Sequence, residues 1–133
     1  VRYLLLLLIA FPAYAEPICA DASYSAISGR ALQDEWKDVV ASKERVCIVA
    51  RLEWAHRDNR KELDIATLQP PVPSEYILLG SVDLSKLDRN RRREIMDKCG
   101  SPNTGTECVV AMYGRLEQEA RLRWIVRADR VEF

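Results

Sequence analysis

Residues 76–116 read YILLGSVDLSKLDRNRRREIMDKCGSPNTGTECVVAMYGRL, and this stretch decides the fold. Both ends are apolar and β-prone, over Tyr76–Leu84 and Glu107–Leu116. Between them the hydrophobic period changes: Leu84, Leu87, Ile95 and Cys99 fall on or near one face of a helix. Ser85 followed by Asp88 has the form of a capping box with Asp in the acidic place, and Gly100 is a natural stop. The order is strand, helix, strand, with Cys99 and Cys108 at the two ends of the loop that joins the helix to the second strand. Gly80 inside the first strand predicts a bulge or a sharp bend.

Upstream, Val46–Trp54 alternates. Val46, Ile48, Ala50, Leu52 and Trp54 share one face, and Cys47, Val49, Arg51 and Glu53 share the other, which is the period of a strand. Asp58-Asn59 marks a turn, and Glu62–Leu68 forms the second strand of a hairpin, with Leu63, Ile65 and Thr67 on one side. The proline-rich run Gln69–Pro73 ends it, because proline neither donates to a ladder nor continues a helix. Before the strands, Leu32, Trp36, Val39 and Val40 make one helical face over Gly29–Ser42, with Ser28 placed to cap it. Downstream, Glu117–Ala120 reads as a polar turn and Leu122–Val131 as the last strand. The expected core is Val46, Ile48, Ala50, Leu52, Leu63, Ile65, Ile77, Leu79, Val109, Ala111, Leu122, Trp124 and Val126.

The first fifteen residues, VRYLLLLLIAFPAYA, have a positive start, an apolar centre and a small-x-small end. That is the order of a secretory leader, and the run is too short to anchor in a bilayer. Val1 in place of methionine fits a bacterial non-ATG start or a truncated one. The expected division is a leader at 1–15, an arm and short helix at 16–44, and a barrel domain at 45–133. The mature chain is expected in the periplasm or outside the cell, with no membrane span. Twenty basic and twenty acidic residues balance, and loss of Arg2 with the leader changes little. Such neutrality gives no global steering toward nucleic acid, which is not an expected partner.

Four cysteines in an exported chain read as disulfides rather than metal ligands. Three connectivities exist, and sequence does not choose among them. The expected pairs are Cys99–Cys108, closing a short loop, and Cys19–Cys47, pinning the N-terminal arm to the first strand.

A helix between the third and fourth of five strands resembles the oligonucleotide/oligosaccharide-binding (OB) fold. So do the mid-strand Gly80 and the closing pattern of Gly114 followed by Leu122-Arg123-Trp124-Ile125-Val126-Arg127-Ala128-Asp129-Arg130-Val131. The resemblance covers residues 45–133 and implies a mainly-β, five-stranded Greek-key barrel. An open α+β sheet with two helices on one face is the alternative.

Chemical motifs are sparse. His56, the one histidine, lies in an expected turn with no nucleophile motif near it. No C-x2-C, H-x3-H, P-loop or dinucleotide-binding glycine pattern occurs, so neither metal nor cofactor is expected. Asp58, Glu62 and Asp64 cluster at the hairpin and would carry a small hydrolase, the enzymatic alternative; no catalytic residue is assigned. Arg89, Arg92 and Arg93 can share a helix face and meet an acidic partner, which would make the chain a structural or inhibitory partner of another exported protein. The leading expectation is a disulfide-stabilised binding module for a glycan, a peptide or an envelope protein. Arg51, Trp54, Tyr76 and Tyr113 are its candidate contacts, and its oligomeric state is open.

Overall fold

The computed structural model describes residues 17–71, 80–101 and 108–133. In chain order they form β1 (Ser25–Ala26), α1 (Gly29–Ser42), β2 (Arg45–Asp58), β3 (Leu63–Gln69), β4 (Gly80–Asp83), α2 (Arg89–Cys99), β5 (Val109–Ala120) and β6 (Arg123–Glu132). Strands β2 to β6 close into a five-stranded barrel, with β1 as an extra strand and α2 between the third and fourth barrel strands. The open α+β layer is therefore excluded.

The length of β2 makes closure possible. Its first half, Arg45–Arg51, pairs antiparallel with β5, and its second half, Arg51–Asp58, pairs antiparallel with β3 on the other edge. The chain then runs antiparallel from β3 to β4, and β6 lies between β4 and β5. The β4–β6 seam is parallel, Ser81 to Ile125 through Asp83 to Arg127. Closure pairs the barrel strands with one another, and β1 covers the part of the β2 edge, Val46–Cys47, that β3 does not reach.

Register decides which residues face inward. Ile48 sits opposite Met112 and Ala50 opposite Val110, so Val110 and Met112 line the interior. Val109 and Ala111, expected there, lie opposite Arg51 and Val49 on the outer face. Leu52 opposite Leu68 turns Leu68, Ala66 and Asp64 inward and leaves Leu63 and Ile65 half-buried on the other side. A shift of one residue inverts a strand, and the β2–β3 pairing fixes the parity opposite to the expected one. Leu122 sits in the β5–β6 turn and is exposed, because β5 continues through Ala120 where a turn was expected. Ile77 and Leu79 lie outside the described residues.

Both helices close against this core. In α1, Ser28 Oγ accepts from the Ala31 N–H, Leu32 and Val39 are buried, and Trp36 and Val40 pack beside them. Lys43 ends the helix in a left-handed conformation, with its N–H donating to the Val40 carbonyl. Helix α2 begins at Arg89 rather than Ser85, and Asp88 is its cap, Oδ1 accepting from the Arg91 N–H at 2.8 Å. Ser85 instead completes the turn after β4. Its N–H donates to Asp83 and its hydroxyl accepts from the Asp64 N–H. Ile95 and Cys99 face the barrel, where α2 packs on β2.

Gly80 makes room for a neighbouring ring. Its pairing with Leu68 is regular, and a Cβ there would stand 2.8 Å from the Trp124 ring. The missing side chain is the space that the indole occupies.

The cysteines form two disulfides. Cys99–Cys108 joins the end of α2 to the start of β5 and lies fully buried in the core. Cys19–Cys47 ties the arm to β2.

Asp83 is buried and binds Arg127, which also holds Glu117. Burial works against the Asp83 carboxylate, but the Ser85 hydroxyl and N–H and the Arg127 guanidinium outweigh it and hold its pKa below the usual 3.8. A depressed carboxylate contributes stability above the unfolded pKa, and that contribution is lost as pH falls through the folded value. Urea midpoints should therefore hold from neutrality to about pH 5 and fall below about pH 4. Asp83→Asn should lie below the native protein at neutral pH, with the gap narrowing in acid. A gap that stays constant down to about pH 2 would refute this role.

Candidate functional site

The outer face of β2 changes character at Glu53. Between the pairs Glu53–Thr67 and His56–Ile65, β2 carries one residue more than β3, which is a bulge. Trp54 falls in it with φ 55°, in the left-handed region that large side chains avoid. Its side chain is half exposed, while Ala55 beside it returns to the core. His56 Nδ1 lies 2.6 Å from the Trp54 carbonyl oxygen, so Nδ1 carries the proton and donates. The strand thus accepts backbone strain to hold an indole in solvent. Smaller residues would fit that conformation at lower cost.

Arg51 and Glu53 precede the bulge on the same strand face. Arg51 is fully buried and Glu53 is 5% exposed; Arg51 NH2 lies 3.3 Å from Glu53 Oε1. Among the described residues the Arg51 nitrogens have no hydrogen-bond acceptor, and the Oε1 of Gln69, directly opposite, has no donor. Arg51 is thus a buried ion-pair member on the outer face of β2, not an exposed contact.

Tyr113 is separate from this place. It sits opposite Cys47, roughly 23 Å along β2 from Trp54 at 3.3 Å per residue. The arm covers it completely. The Ala20 N–H donates to its hydroxyl at 3.2 Å, Tyr24 meets its ring edge-on at 5.0 Å, and Arg130 stacks at 4.0 Å from its centroid. Tyr76 lies outside the described residues. Of the four candidate contacts, Trp54 is the one that the described residues leave open to solvent.

The basic helix does not act as one cluster. Arg92 turns onto the barrel and binds Asp64 at 2.8 Å, with Arg57 on the other carboxylate oxygen at 3.5 Å. Arg91 and Lys98 share Glu94 and both approach the Phe133 ring. Arg89 and Arg93 are exposed. The hairpin carboxylates are dispersed in the same way. Asp58 accepts from the Arg60 and Lys61 N–H groups to form the turn, and Asp64 anchors α2. Among the described residues no three His, Cys, Asp or Glu side chains come together as metal ligands. No helix among them is long and apolar enough to cross a membrane.

Two features escaped the sequence reading. The Arg51–Glu53 pair looked like an ordinary polar strand face, although a charged i, i+2 pair inside an apolar strand was a visible signal. The strain at Trp54 left no trace, because the bulge depends on where β3 pairs. No protein-family model matches the chain, and no curated protein is similar to it.

Proposed function

We propose that this chain is a small exported binding module of the OB superfamily. Its leader spans 1–15, its arm and first helix 16–44, and its barrel 45–133, and it works in the periplasm or outside the cell. The ligand surface is the bulged part of β2, with Trp54 as the platform and a glycan as the ligand class. A flat apolar indole face suits the stacked C–H surface of a sugar ring. The two disulfides fit an oxidising compartment, where a small barrel gains from cross-links.

The single observation behind this reading is the half-exposed Trp54 at positive φ. Strain of this kind persists where function selects for it. Replacing Trp54 with glycine removes both the platform and the strain. Glycan binding, measured by calorimetry with soluble peptidoglycan fragments and neutral oligosaccharides, should be lost in Trp54→Gly. Stability should hold or rise by up to ~1 kcal/mol. Retained binding in that variant would discard the site. An unstrained drop in stability would show that the indole is structural.

A further inference from the structure

The N-terminal arm is held over the barrel by a single covalent tie, a set of polar contacts, and the packing of Tyr24 on Tyr113 and of Ile27 on the barrel core. Residues 17–27 cross the outer face of β2 and β5. The covalent tie is Cys19–Cys47. Around it, β1 pairs in parallel with Val46 and Cys47, and the Ile27 N–H donates to the Cys47 carbonyl at 3.0 Å. Asp21 binds Arg130 at 3.1 Å, and the Tyr24 hydroxyl donates to Asp129 at 3.3 Å. What the arm covers is a small cluster of its own, Cys47, Ala111 and Tyr113, separate from the barrel core.

The two disulfides differ in what a thiol can reach. Cys99 and Cys108 are both fully buried among core residues. Cys47 is fully buried too, but Cys19 is partly exposed at the surface of the arm. Thiol–disulfide exchange needs a thiolate to arrive at a sulfur, so access sets the order of reduction. The barrel's closure uses neither the arm nor its disulfide, since β2 to β6 complete the ring without β1.

We propose that Cys19–Cys47 is a reducible latch: a dithiol reductant opens it ahead of Cys99–Cys108, and the arm then leaves Tyr113 and the β2 edge at Val46–Cys47 uncovered. One thiolate of the reductant attacks Cys19 Sγ. The S–S bond breaks with its electron pair on Cys47 Sγ, which takes up a proton. The second thiol of the reductant then displaces Cys19 Sγ from the mixed disulfide. Two cysteine thiols and the reductant's own disulfide result, a two-electron exchange that balances.

Release follows from the nature of the remaining contacts. Surface ion pairs and solvent-exposed hydrogen bonds contribute little, β1 contributes two residues of ladder, and Tyr24 and Ile27 are the apolar side chains that still hold the arm down. Against them stands the conformational freedom of the whole arm. With the tie cut, local opening of the arm costs far less than unfolding the barrel. The latch is independent of the ligand surface at Trp54, which lies at the other end of β2.

The test uses the folded, oxidised protein without denaturant. It is exposed to graded dithiothreitol, alkylated, freed of reductant and mapped by mass spectrometry. Cys19 and Cys47 should become alkylated at least about tenfold faster than Cys99 and Cys108. In the same samples Tyr113 should become reactive to tetranitromethane, and hydrogen exchange at the Ile27 amide should rise about tenfold or more. The double variant Cys19→Ala, Cys47→Ala should show the open Tyr113 with no reductant present. Simultaneous loss of both disulfides would overturn the latch. So would an opened Cys19–Cys47 with Tyr113 still unreactive. Should the double variant not fold, the mapping of the native protein decides alone, and the barrel's independence of the arm is refuted with it.

Discussion

Gly114→Ala is expected to cost ~3 kcal/mol or more, among the largest effects of any single methyl in this protein. Gly114 lies in β5 opposite Ala128, where β6 carries Asp129 as an extra residue. A Cβ at this position would stand 2.1 Å from the Arg127 carbonyl oxygen and 2.9 Å from its carbonyl carbon. These are backbone atoms of a strand held on both sides, by β5 and by the parallel seam with β4. A flexible side chain could swing away; β6 cannot move without loosening the closure. Urea unfolding of the variant measures this directly. A loss under ~1 kcal/mol would mean that the two strands do not approach as closely as described.

The second large effect is at the buried ion pair. Glu53→Ala should cost about 3–5 kcal/mol, because it leaves the Arg51 guanidinium buried with no counter-charge among the described residues. Arg51→Met should be costly for the mirror reason. The double variant Arg51→Met, Glu53→Leu should be far better than either single change, near native stability or above it, since well-packed apolar groups replace a desolvated pair. The coupling read from this cycle isolates the pair. Additive losses would show that the two side chains act separately.

The sequence and the structure agree where one period dominates. The change from alternation to helical spacing between Leu84 and Cys99 marked α2, and Ser28 through Val40 marked α1 and its cap. The barrel followed from the order of these segments. Agreement ends where a strand is apolar on both faces. In Val109–Tyr113 either parity reads as core, and only the register with Ile48 and Ala50 separates Val110 and Met112 from Val109 and Ala111. The same holds in β3, where both parities carry apolar residues, yet Ala66 and Leu68 face inward rather than Leu63 and Ile65. Alternation identifies two faces without saying which one meets the interior.

Site residues were less legible for a related reason. Trp54 and Tyr113 look alike in sequence as aromatics in strands. One is held in solvent by a bulge set in the partner strand, and the other is covered by an arm that begins far away in the chain. Arg92 looked like its neighbours Arg89 and Arg93, but one helical step aims it at Asp64. Each difference arises from contacts between distant segments, which local spacing does not encode.

The parallel seam between β4 and β6 has a consequence for how the chain matures. Strand β6 emerges from the ribosome after the other barrel strands, and both of its neighbours wait for it. Before residue 123 arrives the sheet is an open ribbon with two raw borders, prone to sticking to other copies. Contacts of such long sequence separation form slowly. A polypeptide delivered from its N-terminus therefore stays pliable until residues 123–132 have arrived, and then seals in one event.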